Sequence, residues 1–190
     1  MLPVLVVVCG PAGGYGKTTL AHEIARAVGC PAICRDEIKE GMVHAAPPGR
    51  EPTPADPRAP ADLLTRQTFT VFFDVLALLL ASGATVVAEA AFQGPVWGPG
   101  LERLSEFAEV RVVRCVVDPA IANDRNVRRA AQNPRRALAH PPWPGPLPAV
   151  HPFKPITIGA PTINVDTTDG YDPGLADIVA FVDRHRGSPT

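Results

Sequence analysis

"CGPAGGYGKTTL", Cys9 to Leu20, is the stretch whose reading decides the fold. It comes within one residue of the phosphate-binding pattern G-x-x-x-x-G-K-[ST]. Gly10 and Gly16 enclose Pro11-Ala12-Gly13-Gly14-Tyr15, one residue more than the pattern has. Counted back from Gly16 in strict register, Pro11 stands where the first glycine belongs. Upstream, Val4 to Cys9 is a continuous, mostly β-branched apolar run, the signature of a strand buried on both faces. Downstream, Lys17 to Val28 carries Leu20, Ile24 and Val28 at i, i+4 and i+8, which predicts a helix, with Gly29 as its stop. Strand, glycine-rich turn and helix together form the context in which a phosphate loop works.

In such a loop successive N–H groups face a phosphate, and the helix N-terminus adds partial positive charge. Lys17 is expected at the β- and γ-phosphates and Thr18 at Mg²⁺. Gly10, Gly13, Gly14, Tyr15, Gly16, Lys17, Thr18 and Thr19 are the candidate nucleotide contacts. Gly13 and Gly14 lack a Cβ and accept a bulge at small steric cost. Gly16-Lys17-Thr18 keeps its register with the helix, so the expectation is a widened loop that still binds nucleotide. Tyr15 either points outward or covers the phosphates. A degenerate loop is the alternative.

Beyond the loop, strands and helices alternate. Pro31 to Cys34 is a short second strand and Arg35 to Val43 a short helix. Asp62 to Ser82 is a long apolar helix ended by Gly83. Ala84 to Glu89 is a third strand, Trp97 to Ala108 a helix and Val110 to Val117 a fourth strand. Asp118-Pro119 opens the next helix with Asp as N-cap and Pro at N1, and it runs to about Ala131. Thr162 to Val165 is a fifth strand and Pro173 to Arg184 a closing helix. This alternation predicts an α/β, three-layer fold on a parallel sheet. Ala45–Pro60 and Asn133–Pro155 are long, proline-rich loops, of the kind that serve as lids or binding loops.

The chain has 190 residues, enough for one domain over all of 1–190. Its net charge of −1 supplies no global field toward nucleic acid or anionic membranes. The apolar start, Leu2 to Val8, is too short to span a bilayer and lacks a basic flank, so a cytoplasmic chain without membrane contact is expected. Cys9, Cys30, Cys34 and Cys115 form no C-x-x-C pair and no Cys/His cluster at zinc spacing, and read as reduced, mostly buried thiols.

"ICRDEIKEGM" places Asp36 just past the C-terminal end of the second strand, the edge where open α/β sheets bind ligands. Asp36 is there only as a helix N-cap, or as a base that takes a proton from a phosphoryl acceptor, a role compatible with capping. "NDRNVRRAAQNPRR" holds Arg125, Arg128, Arg129, Arg135 and Arg136. Arg125 and Arg129, at i and i+4, share a helix face.

With these pieces in place, the chain resembles the small P-loop kinases of the AAA_33, zeta-toxin-like group. That group includes chloramphenicol phosphotransferase-like enzymes and the kinase domain of polynucleotide kinase. The resemblance rests on "VLVVVCGPAGGYGKTTLA", "ICRDEIKEGM", "GATVVAEAAF", "RVVRCVVDPAIANDRNVRR" and "INVDTTDGY", in the family's order along almost the whole chain. It implies a five-stranded kinase-type P-loop NTPase sheet in the order 2-3-1-4-5, with ATP as phosphoryl donor. It implies Asp36 as general base, with Lys39 where polynucleotide kinases have an arginine near the reacting phosphates. Glu89 takes the acidic position at the end of the third strand, holding the Mg²⁺ shell or touching the acceptor. A strand-end carboxylate bonded to a loop is its plainer role. Arg125 and Arg129 become phosphate-clamping arginines of a lid region at about 125–155, against the alternative of a solvated basic face. The acceptor-side loop is about 45–60. Asp166 and Thr167, in the segment Asp166 to Gly170, pass the adenine base or form a plain polar turn.

The leading expectation is therefore an ATP- and Mg²⁺-dependent kinase acting on a small-molecule hydroxyl, of an antibiotic, natural product or metabolite. A polynucleotide 5′-hydroxyl kinase is second, disfavoured by the near-neutral charge. A non-catalytic nucleotide-binding or interaction protein with an altered loop is third.

Overall fold

The computed structural model describes residues 2–45, 63–92, 96–132, 136, 139–140 and 153–183. The Ala45–Pro60 loop beyond Ala45 and most of Asn133–Pro155 lie outside these residues. Among the described residues five strands are present: β1 (Val4–Cys9), β2 (Ala32–Cys34), β3 (Val86–Glu89), β4 (Glu109–Val116) and β5 (Thr162–Asp166). Between and after them lie α1 (Lys17–Val28), α2 (Arg35–Ala45), α3 (Leu63–Ala81), α4 (Gly98–Ser105), α5 (Pro119–Gln132) and α6 (Leu175–Val182). The strand order is β2-β3-β1-β4-β5, and every pairing is parallel. This is the expected sheet.

β1 is the central strand, hydrogen-bonded to β3 on one side and β4 on the other. Its side chains alternate between faces, as the two-residue strand period requires. Leu5, Val7 and Cys9 enter one core with Phe72, Leu76 and Leu80 of α3 and Leu101 and Leu104 of α4. Val6 and Val8 enter the other with Leu20, Ala21 and Ile24 of α1 and Ile178, Phe181 and Val182 of α6. The apolar run therefore lacks the polar alternation of a half-exposed strand. α3 is long and apolar enough to cross a membrane by length and composition. Here its Phe72, Leu76 and Leu80 cover the sheet instead.

The first core carries an aromatic cluster that strand and helix periodicity did not reveal. Phe72 meets Phe73, Phe92 and Trp97 at ring-centroid distances of 5.6, 5.9 and 6.1 Å, tilted or edge-on. Phe92 stands just past β3 at φ 46°, in the left-handed region that bulky residues avoid. Its full burial against Phe72 and Trp97 compensates the backbone cost.

The helix after β2 begins at Arg35, with no residue between it and Cys34. Asp36 is thus inside the first turn and is not an N-cap, which removes that alternative. A carboxylate in this turn is still favoured by the helix dipole. Asp118 does cap: its Oδ1 accepts the Ala120 N–H at 2.7 Å.

Phe72 is fully buried at the centre of the aromatic cluster. Phe72→Ala should therefore destabilise the fold by about 3–5 kcal/mol in urea unfolding. A loss near zero would mean that α3 does not pack on the sheet as described.

Candidate active site

Parallel register decides which strand ends meet. Val8 of β1 pairs with Glu89 of β3, and Glu89 pairs with Cys34 of β2. The residues that follow these three therefore emerge side by side at one sheet edge. From β1 comes the glycine loop, from β2 Arg35-Asp36, and at the end of β3 stands Glu89 itself.

The loop folds as a cradle. Lys17 is buried, and its Nζ donates to the Pro11 carbonyl at 2.7 Å, so it curls over the loop it follows. Thr18 Oγ1 donates to Glu89 Oε2 at 3.0 Å. The threonine and the strand-end carboxylate thus form a pair of oxygen donors, the ligand type that hard Mg²⁺ takes. Burial pushes the Glu89 carboxyl up, against the pull of Lys17.

The extra loop residue is accommodated against α5. Gly14 sits at φ 69°, and a Cβ built there would fall 1.8 Å from the Ala122 carbonyl oxygen. Backbone lies against backbone at this point, which only glycine permits. A Cβ on Gly13 would meet the Asn126 side chain at 3.1 Å. Tyr15 does not project outward: its side chain is half-buried and packs against the second core.

Arg125 ties the bulge down. Its Nη1 donates to the Gly14 carbonyl at 3.5 Å, and its Nη2 to the Thr167 and Thr168 carbonyls at 2.8 and 2.7 Å. Thr167 is buried and donates from Oγ1 to the Tyr15 carbonyl at 3.2 Å. The phosphate loop and the loop after β5 are thereby joined through one guanidinium and one hydroxyl. Asp166 is exposed, and its Oδ1 accepts the Thr168 N–H at 2.7 Å, forming a polar turn. Arg129 is exposed. The two arginines that share a helix face in sequence are thus in different surroundings.

A different arginine reaches the candidate base. Arg136 Nη2 lies 3.7 Å from Asp36 Oδ2, and Arg136 also pairs with Glu40. Arg35 Nη1 donates to Asp36 Oδ1 at 3.0 Å. His140 Nε2 approaches Glu40 Oε1 at 3.4 Å and Asp36 Oδ2 at 4.0 Å. Burial pushes the Asp36 carboxyl up, but His140, Arg35, Arg136 and Lys17 outweigh it and hold the carboxyl below its ordinary value. Asp36 is therefore ionised at neutral pH. Lys39 is buried on the same helix and adds its charge near His140. His140 had no local signal in the proline-rich segment. Arg136 stood in the basic run, but nothing in the spacing distinguished it from Arg129.

The AAA_33 family model, described as an AAA domain, matches residues 5–140. The chain belongs to the AAA_33 family. The matched span covers the glycine loop, Asp36, Glu89, Arg125 and Arg136, and leaves β5 and α6 outside. Among curated proteins no sequence matches the chain. Among solved structures, a candidate kinase from Chloroflexus aurantiacus is 25% identical, with a TM-score of 0.75 over 97% of this chain and 99% of that one. A gluconokinase from Sinorhizobium meliloti is 19% identical, with a TM-score of 0.52 over 96% and 93%. A shikimate kinase from Acinetobacter baumannii, solved with shikimate, is 16% identical, with a TM-score of 0.53 over 99% and 97%. The fold of this AAA_33 chain is that of the P-loop kinases.

The contact between Gly14 and Ala122 gives a steric test. Gly14→Ala should weaken Mg-ATP binding at least about tenfold in calorimetry, because the side chain forces the loop off α5. Gly41→Ala is the control, since a Cβ there meets nothing within 4 Å. Equal affinities in both variants would show that the bulge does not need its seat on α5.

His140 gives a pH test. Burial, with Arg136, Lys39 and Arg35 nearby, pushes its pKa from 6.5 down to about 4, against the pull of Asp36. Between those values the unfolded chain binds a proton that the folded chain refuses, so folding stability must rise with pH across this window. In urea unfolding, His140→Gln should flatten the stability profile from about pH 4 to 6.5. An unchanged slope would place His140 in solvent.

Proposed function

We propose that this chain is an ATP-dependent phosphotransferase that moves the γ-phosphoryl group of ATP to a hydroxyl of a small molecule. The observation that carries the reading is the placement of an ionised Asp36 at the same sheet edge as the Lys17–Thr18 loop and Glu89. Phosphoryl transfer is mainly positioning and charge stabilisation, with a carboxylate to take the acceptor's proton. The chain provides groups suited to each task.

In this reading the loop amides from Gly10 to Gly16 and the Lys17 ammonium bind the β- and γ-phosphates, with Thr19 close behind them in the first turn of α1. Thr18 and Glu89 would hold Mg²⁺, which supplies charge neutralisation between the phosphates. Asp36 Oδ2 accepts the acceptor's hydroxyl proton as the new P–O bond forms, and ADP leaves. Arg136 approaches that oxygen, and Arg35 is bonded to the other, Oδ1. Planar guanidinium groups suit a phosphoryl group that has lost its bridge to ADP. Arg125 holds the phosphate loop against the loop after β5. There Thr167 and Asp166 border the expected adenine position. Lys39 supports the acceptor side of α2, and Arg129 remains for the lid.

A small acceptor fits better than a nucleic acid. The carboxylates of Asp36, Glu37 and Glu40 stand together on α2, and the net charge is −1. A net charge of −1 supplies no long-range attraction for a polyanion.

Asp36→Asn keeps the shape and removes the base. Transfer to a hydroxyl acceptor should fall by about 10²–10⁴-fold while Mg-ATP affinity stays within a few-fold of wild type. The measurement is phosphorylated product from an acceptor panel, alongside calorimetric binding. Undiminished transfer would reject Asp36 as the base. Steeply salt-dependent oligonucleotide phosphorylation would move the acceptor to nucleic acid.

A further inference from the structure

Three donors that the phosphotransfer reading does not use converge where α1 meets the junction of β2 and α2. His22 Nε2 is 2.8 Å from Glu37 Oε1 and 3.7 Å from Cys34 Sγ. All three donor atoms lie within 4.8 Å of one another. Sequence spacing concealed the group, because His22 lies on α1, Cys34 ends β2 and Glu37 is in the first turn of α2.

The spacing suits a metal. Around tetrahedral zinc, with Zn–S of about 2.3 Å and Zn–N of about 2.0 Å, sulfur and nitrogen stand roughly 3.5 Å apart. The His22–Cys34 separation is close to that, while the 2.8 Å His22–Glu37 hydrogen bond opens slightly to admit the metal. Burial is graded as well. Cys34 is only 2% exposed, while the His22 and Glu37 side chains are 43% and 46% exposed. The thiol forms a floor, and the imidazole and carboxylate form a rim open to solvent.

A divalent cation bound there displaces the thiol proton and binds the thiolate. One proton leaves to solvent for each metal bound through Cys34, and no oxidation state changes. A thiolate, an imidazole and a carboxylate select a borderline-soft ion such as Zn²⁺ over Mg²⁺.

We propose that His22, Cys34 and Glu37 form a zinc-class divalent metal site, with water in the fourth position, separate from the Thr18–Glu89 pair. Cys34 and Glu37 bracket Arg35-Asp36, so a bound metal ties the segment carrying Asp36 to the helix that follows the phosphate loop. The site stands whether or not the chain transfers phosphoryl groups, because none of its three donors is assigned to that reaction.

The test is a Co²⁺ titration of the full chain in excess Mg²⁺, followed by absorbance. One equivalent should bind in the micromolar range or tighter, with a thiolate-to-cobalt charge-transfer band and tetrahedral d–d intensity that Zn²⁺ abolishes by displacement. Cys34→Ser should lose the charge-transfer band, and His22→Gln should weaken binding by about 10-fold or more. His22 is part-exposed, so its variant remains informative if Cys34→Ser fails to fold. Absence of the band in folded wild type overturns the site. So does a band that survives in Cys34→Ser, or unchanged affinity in His22→Gln.

Discussion

The alignment of Val8, Glu89 and Cys34 across three parallel strands is the constraint on which the candidate site depends. Each strand delivers a different chemical group to the same edge, and their heights match because the hydrogen-bond ladder fixes them. A shift of one residue would turn β3 over and send Glu89 to the opposite face. Both faces of β1 are packed against cores, so a slipped register would have to repack both.

The lengthened phosphate loop illustrates how a local irregularity becomes a tertiary contact. Gly16, Lys17 and Thr18 are committed to the start of α1, and the backbone at Gly14 lies against the carbonyl of Ala122 on α5. Arg125 and Thr167 then satisfy the carbonyls of Gly14 and Tyr15 that the bulge leaves outside any regular ladder. The cost of the insertion is met by groups that also line the loop after β5, so the two loops are mechanically linked.

Charge around Asp36 is arranged so that neighbours offset burial. Arg35, Arg136 and His140 gather around two carboxylates, Asp36 and Glu40. The result is an ionised carboxylate beside guanidinium groups, and Lys17 reaches the same field from the loop. Breaking one partner of such a cluster leaves another charge poorly solvated, which is why its members act as a unit.

The sequence by itself determined the alternation of strands and helices, the sheet order by resemblance, and the placement of Lys17 and Thr18 at the start of α1 and of Asp36 and Glu89 at strand ends. These are legible because strand and helix periodicity, glycine stops and the phosphate-loop pattern are local signals, read within a few residues. Whether Asp36 caps its helix was left open, because it depends on where β2 stops. Tertiary structure alone decided the seat of Gly14 on Ala122, the choice of Arg136 at Asp36, and the meeting of His22, Cys34 and Glu37. Arg125 and Gly14 are 111 residues apart, and Arg136 and Glu40 are 96 apart. No periodicity spans such distances. Which arginine arrives, and against which carbonyl, is settled by how α5 and the chain beyond it pack over the sheet edge.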